Sequence, residues 1–529
     1  MTNKTTSSGL ATSRRDLLAG TAALGIAAGM GPAVIGNEAK AAEPKKGGTL
    51  RMGLGHGSST DSLDPGTFEN GFSSGMGMGG LFNYLTEVNE YNQLQPELAE
   101  EWDSPDAQTW TFKIREGVEF HNGKTMTPDD VVASLNHHRG EDSTSAVSSL
   151  FEQVSDMRVD GNTVVIELSA PNADYPFIVS DYHMGIMPSD GEGKIDATSG
   201  IGAGSYKLSS YEPGTEAVLE RHPNYWKTDR AWFDACEMYT IADPTARQNA
   251  LVTGQVDVID RVDPKTADLM AQAPNIELVE ATGTLHYTMP MNTTVAPFDD
   301  NNVRQALKYA IDRDDIVDKI LRGHGVVGND HPIAPSNRFH ANIEQHSYDP
   351  DKAKWYLQQS GLDSLSVDLS TSEAAFVGAV DTAVLYQEHA KAAGIDINIV
   401  REAADGYWAD VWMQKPWCLC YWGGRPTEDW MFSTTYAADA PWNDTFWTND
   451  RFNELLIQAR AELDDTKRAE MYTEMQDILA NDGGALVVAF ANHVDGASTS
   501  LANSGQVGGN WGLDGGRLME RWWFVDPSA

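Results

Sequence analysis

Cysteine is almost missing from this chain. Its 529 residues include three, Cys236, Cys418 and Cys420, which excludes a disulfide framework and leaves one bridge at most. Basic residues are scarce as well: 38 Lys and Arg face 77 Asp and Glu, a formal net charge of −39. A field of that sign repels phosphate backbones and argues against nucleic acid as a partner. It suits a well-solvated surface or a mildly cationic ligand. Beyond residue 40 no stretch of about 18 residues is uninterruptedly apolar, so no membrane span is expected after the N-terminus. H-E-x-x-H and C-x-x-C motifs are also lacking, and no repeat of fixed period is visible.

What remains is an ordinary globular mixture, 41% hydrophobic and 22% charged. The length calls for two or three domains. The opening reads as an address. Ser13-Arg14-Arg15-Asp16-Leu17-Leu18 precedes an Ala/Gly-rich run from Ala19 to Gly36, and Ala39-Lys40-Ala41 supplies small residues at alternate positions. That is the order of an export signal, residues 1–41, cleaved near Ala41. Adjacent arginines before a weakly apolar run favour the twin-arginine route. The competing reading is a membrane anchor, which Gly20, Gly25, Gly29, Gly31 and Pro32 weaken as a helix. An exported bacterial chain without an anchor is periplasmic or secreted.

Strand and helix signals then alternate. Thr49-Leu50-Arg51-Met52 reads as a strand; Trp110, Phe112 and Ile114 alternate with polar residues, as do Val164, Ile166 and Leu168. Thr127 caps a helix with Pro128 in its first turn. Val303, Ala306, Leu307, Ala310 and Ile311 follow helical spacing, and Asp349-Pro350 opens a further helix that Gly361 stops. Ile395, Ile397 and Ile399 read as a strand. Phe452, Leu455, Leu456, Ala459 and Leu463 mark one amphipathic helix, and Met471, Met475, Ile478 and Leu479 the next. Ala485 to Phe490 reads as a strand buried on both faces. Gly71–Gly80 and Asp190–Gly204 are read as loops or boundaries. The pattern is that of an α/β protein with mixed sheets.

Catalytic motifs fail on context. Gly71-Phe72-Ser73-Ser74-Gly75 fits G-x-S-x-G and Gly75–Gly80 fits G-x-G-x-x-G, but no buried strand precedes either. His137 and His138 are helix neighbours pointing about 100° apart, the wrong arrangement for a chelate. Cys418 and Cys420 share one face of a strand and read as core. Nothing here asks for an enzyme, a metal or a cofactor.

Several stretches together resemble one family, the extracytoplasmic solute-binding proteins of family 5, which serve peptide/nickel-type ABC importers. They are Gly47-Gly48-Thr49-Leu50, Leu63-Asp64-Pro65, Leu98-Ala99-Glu100-Glu101-Trp102, the run from Trp110 to His121, and Thr127-Pro128-Asp129-Asp130-Val131. Further on come Gly202-Ala203-Gly204-Ser205-Tyr206-Lys207, Pro223-Asn224-Tyr225-Trp226, Ala250-Leu251 with Gly254 and Asp257, Met291-Asn292, Val303-Arg304-Gln305-Ala306, and Tyr348 to Ala353. Each is weak alone; the ordered set is specific. The resemblance implies a two-lobed clamshell with an extra inserted domain in the first lobe. The first lobe would be 42–80, 200–285 and 491–529, the insert 81–199 and the second lobe 286–490. The chain would cross near Gly283–Pro290 and again near Phe490–Val494, making a hinge. The implied partners are a small-molecule ligand and the membrane permease with its ATPase subunits, served by a monomer.

By the same resemblance, the ligand site includes the loop after Trp417-Cys418-Leu419-Cys420-Tyr421-Trp422. Peptide binders of this family carry an aspartate there for the peptide amine; the matching residue here is Arg425. A guanidinium accepts no hydrogen bond and repels ammonium, but it clamps carboxylates. Alternatively Arg425 pairs with Glu428 or Asp429 and shapes the loop. Between Tyr407 and Trp447, 12 of 41 residues are aromatic, against 48 of 529 overall, an excess that points to rings lining a cleft. The expected ligand residues are Arg425, Trp422, Trp408, Asp405, Trp430, Tyr421 and Asp429. The expected function is capture of a small zwitterionic or carboxylate-bearing solute with an apolar or cationic part. A di- or oligopeptide is the alternative cargo, and a secreted hydrolase the alternative class.

Overall fold

A computed structural model describes residues 43–526, apart from 141, 142, 404, 405, 439 and 441. The export-signal reading and Asp405 therefore lie outside the described residues.

The first lobe is organised by three parallel strands. Thr49–Leu54 pairs on one side with Ala235–Thr240 and on the other with Val258–Ile259. Glu216–Arg221 and Tyr206–Glu212 extend the sheet antiparallel beyond Ala235–Thr240. The central strand carries Leu50, Met52 and Leu54, all buried, into a core that continues through the inserted segment to Trp522.

The insert holds its own antiparallel sheet, in the order Ala99–Asp103, Thr109–Ile114, Thr163–Leu168, Val154–Asp160. Trp110, Phe112 and Ile114 are its inward set, as period-two alternation requires. Helix Pro128–Asn136 packs on it. Its N-terminus is fixed by a capping box in which Asp130 Oδ2 accepts the Thr127 backbone N–H at 2.9 Å.

A buried ion network ties the insert to the first lobe and to the C-terminal segment. Lys227 Nζ lies 2.7 Å from Glu87, 2.8 Å from Glu97 and 2.9 Å from Glu520. Arg517 contacts the same three carboxylates, and Arg521 reaches Glu87. Arg521 also pairs with Asp514 at 3.2 Å; the centre of the network is Glu87, Glu97 and Glu520. Among the described residues this is the one carboxylate cluster tight enough to share a metal ion, and the Lys227 ammonium sits among its oxygens.

The second lobe contains the parallel pair Leu365–Thr371 and Ile395–Arg401, flanked by helices Asn301–Tyr309, Pro350–Gln359 and Ala379–Lys391. Its core runs from Met289 to Ala489. A neighbouring cluster buries one face of helices Asp450–Ala461 and Asp465–Asp482.

A two-stranded ribbon joins the lobes. Ile276–Thr288 and Val487–Ser498 run antiparallel, and the register breaks between the pairs Thr282↔Asn492 and His286↔Phe490. Residues 283–285 bulge out of the ladder there. A side chain on Gly283 would meet the Gly509 carbonyl oxygen at 2.5 Å, so this bulge needs glycine for close approach.

Two local expectations are corrected. Gly71–Gly80 is helical, not a loop: Gly71–Met76 is an α-helix and Gly77–Leu81 a wider turn. Asn70 Oδ1 accepts the N–H groups of Phe72 and Ser73 and starts it. The glycines serve packing: a Cβ at Gly77 would strike Phe68 at 2.7 Å, and one at Gly80 would strike Leu219 at 2.9 Å. Leu463 lies beyond the helix that ends at Ala461, and it is exposed.

Candidate functional site

Parallel strands direct their carboxyl ends, and the loops that follow, to one edge of the sheet. Here those loops place His56, Pro244 and Arg261 on one wall of a cavity of about 810 Å³. Its other wall comes from the second lobe, at Lys319–His324, Val377–Asp381 and Tyr421. The floor is the hinge ribbon itself, at Leu285, Tyr287 and Ala491–Asp495, with Trp511 to one side. The cavity is therefore the cleft between the lobes, and its volume lies within the range of small-molecule sites.

Hydrogen bonds tie the first-lobe wall together. Asp260 Oδ1 accepts the Gly55 N–H at 2.8 Å and faces Arg247 Nε at 3.4 Å. Arg247 gives its remaining donors to the carbonyls of Ile241, Ala242 and Arg261. Asp495, on the floor, accepts N–H groups of Leu513 and Arg261. Burial pushes the Asp495 carboxyl up to about 7 and raises Asp260 as well. His493 is held down to about 4, first by burial and then by Arg261; His56 is lowered for the same reasons. On the second lobe, Tyr287 stacks flat on Phe376, with ring centres 3.9 Å apart. Tyr287, Tyr421 and Trp511 give the cleft its aromatic surface.

The residues expected from sequence separate into groups. Tyr421 is 44% exposed and borders the cleft. Trp408 is exposed and meets Tyr421 edge-on at 5.5 Å, but it does not line the cavity. Trp422 is buried, donates its indole N–H to Asp444 at 3.1 Å and packs between Trp412 and Trp442. Trp430 is half-buried on helix Glu428–Thr435. Asp429 is buried and pairs with Arg460 at 3.0 Å. Arg425 borders a smaller recess of about 40 Å³, together with Asp181 and Tyr182 of the insert. Its Nη1 donates to the carbonyls of Gly423 at 2.8 Å and Gly424 at 3.3 Å. Glu428 accepts the Phe339 N–H instead of pairing with Arg425. Sequence reasoning missed His56, Arg261, Tyr287, Arg322 and Trp511. No local motif marks them; the ends of the Thr49–Leu54 and Val258–Ile259 strands were the available signal.

A second seam closes behind the cleft, where the insert touches the second lobe. Ala173 N–H donates to the Arg460 carbonyl at 2.7 Å, Asn92 Nδ2 to the Ser336 carbonyl at 3.1 Å, and Arg468 pairs with Asp174 at 2.7 Å.

Residues 93–444 match the model of the bacterial extracellular solute-binding proteins, family 5 (middle region). The chain belongs to this family. It is 27% identical over 475 residues to the dipeptide-binding protein of Escherichia coli (strain K12), covering 82% of this chain and 87% of that protein. The binding protein also shares its fold with the ABC transporter substrate-binding protein CtaP from Listeria monocytogenes (TM-score 0.78, 20% identity, 91% of this chain and 100% of that one). A third match is the ABC transporter-associated periplasmic binding protein DppA from Helicobacter pylori in complex with the peptide STSA (TM-score 0.71, 22% identity, 91% and 99% covered). The two-lobed fold and the role of solute-binding component of an ABC importer follow from that membership. No helix among the described residues is long and apolar enough to cross a membrane.

Proposed function

We propose that this protein captures a small organic solute in the inter-lobe cleft, closes over it and delivers it chemically unaltered to a membrane permease. The observation that carries the reading is the cavity of about 810 Å³ built jointly by both lobes on the hinge ribbon. Its mixture of aromatic faces and charges of both signs suits a zwitterionic or carboxylate-bearing solute with an apolar or cationic part. Tyr421 contacts the ligand, while Arg425 holds its own loop from the side recess. One chain supplies both walls, so a monomer suffices. Export by the twin-arginine route to the periplasm is the matching location.

A di- or oligopeptide is the second reading, supported by likeness to the E. coli dipeptide-binding protein. Against it stands Arg425, which by the family resemblance falls where peptide binders carry an aspartate. The test is native mass spectrometry of purified protein, followed by incubation with the released solute. Ligand recovered unchanged, with a raised Tm and a smaller radius of gyration, is expected. Turnover of the solute, as a hydrolase would show, refutes the reading.

A further inference from the structure

We infer that the cleft selects solutes bearing two acidic groups, and that Arg261 of the first lobe and Arg322 of the second are the residues that select them. This rests on the cleft being the solute site.

The first observation is local charge. The whole chain has 77 acidic residues for 38 basic ones, yet the cleft wall holds five of each. Several of those acids are already engaged. Asp260 is committed to Arg247 and the Gly55 N–H. Asp495 is buried and takes two backbone N–H groups. Asp263 caps helix Pro264–Met270 by accepting the Lys265 N–H at 2.9 Å.

The two arginines are not engaged in this way. Arg261 is exposed, and its guanidinium meets the His56 ring. His56 and His493, the imidazoles beside it, both have their proton affinity lowered, first by burial and then by Arg261 itself. No carboxylate offsets its charge through an ion pair among the described residues. Arg322 is exposed and likewise joins no ion pair among the described residues.

Backbone geometry is the second, independent observation. Among the described residues, ten non-glycine positions have positive φ, and three of them, Arg261, Arg322 and Leu513, line this cleft. Arg261 has φ 54° and Arg322 φ 52°. A side-chain-bearing residue is held in that region only where its surroundings enforce it, and such positions gather at ligand sites. Both arginines are thus set at their positions by the fold.

Their placement couples selection to closure. The two guanidinium groups sit on opposite lobes of one cavity, so closing it empty brings like charges toward each other. A solute with a carboxylate for each replaces that repulsion with two forked, charge-assisted contacts. Binding then favours the closed form specifically. Glu69 and Asp381, also on the wall, remain available for an amine.

The test uses four nearly isosteric dipeptide probes: Glu-Phe, Gln-Phe, Glu-Phe amide and Gln-Phe amide, titrated calorimetrically. Glu-Phe is expected to bind at least tenfold more tightly than either analogue lacking one carboxylate, and about a hundredfold more tightly than the one lacking both. Arg261→Gln and Arg322→Gln should each weaken Glu-Phe tenfold or more and change Gln-Phe amide less than threefold, with melting curves showing folded protein. Equal affinities for the four probes, no binding of Glu-Phe, or variants that keep the full preference overturn the inference. Native mass spectrometry separates its failure from that of the solute-capture reading. A neutral or cationic cargo overturns the two-acid inference alone. A bound solute that never compacts the protein strikes the reading beneath it.

Discussion

Arg468 offers the sharpest test of lobe closure. Its guanidinium pairs with Asp174 at 2.7 Å across the seam between the insert and the second lobe, and both side chains are almost fully buried. Asp174 Oδ2 has no hydrogen-bond partner, so Arg468 is the group that stabilises the carboxylate charge. In Arg468→Met that charge stays buried and unpaired while the seam is shut, a penalty of about 3–5 kcal/mol. Opening the lobes lets water reach Asp174 and removes the penalty, so the cost falls on the closed form. At about 1.4 kcal/mol per decade, ligand affinity should drop by roughly two to three orders of magnitude. Asp174→Asn should cost less, about 1–3 kcal/mol. Arg468 then keeps the Ala459 carbonyl at 3.2 Å and the face of Phe339 at 5.1 Å. Calorimetric titration gives the affinities, and solution scattering of the ligand-saturated protein gives the closure. A large loss of Tm with unchanged affinity and unchanged compaction would refute the argument, because it would mean the pair is intact in the open form too.

Four further outcomes follow from the same structure. Closure should strengthen as pH falls from above 7 toward 4.5: burial raises Glu428 to about 7 from an ordinary 4.5, and Asp429 to about 6. The closed form therefore binds more protons than an open form in which water reaches these acids. Asp174 pushes both upward, while Arg460 and Arg468 oppose the rise at Asp429 and Arg468 opposes it at Glu428; an affinity independent of pH over that window contradicts this. Glu97→Gln removes a buried carboxylate shared by Lys227 and Arg517 and should destabilise the fold by about 3–5 kcal/mol in urea melts. Gly283→Val should distort the hinge bulge against the Gly509 carbonyl and weaken ligand binding at least tenfold, with wild-type secondary structure by circular dichroism. Arg425→Ala should lower Tm by a few degrees through loss of its contacts to Gly423 and Gly424, with affinity within threefold; a binding loss of about 1.5–3 kcal/mol would instead establish a carboxylate clamp.

Much of the fold was legible because its signals are local. Period-two burial at Trp110, Phe112 and Ile114 and the Thr127–Asp130 cap are each settled within a few residues. Helix Asn301–Tyr309 shows the boundary of that legibility. Its apolar face, Val303, Ala306 and Leu307, packs as its spacing requires. Yet Arg304 and Lys308 are buried too: Lys308 Nζ donates to the carbonyls of Ala480 and Gly483, and Arg304 to that of Asp482. These carbonyls end a helix more than 170 residues away, and nothing in the local pattern announces them. The aromatic excess between Tyr407 and Trp447 was visible, but rings that pack against each other and rings that face a cleft look alike in sequence. Among the described residues of the expected set, Tyr421 alone borders the cavity.

The amino-acid sequence by itself determined the class: an α/β chain, strongly acidic, without a disulfide framework, carrying the ordered motifs of a solute-binding family. Hydrophobic period, capping chemistry and net charge are additive, short-range properties, and they survive in a linear reading. Tertiary structure alone decided which distant side chains share the cavity between the lobes. Arg261 and Arg322 lie 61 positions apart, and they border one cavity because three parallel strands end at the edge that faces the second lobe. That juxtaposition depends on how two lobes are hung from one ribbon, and no window of residues contains it.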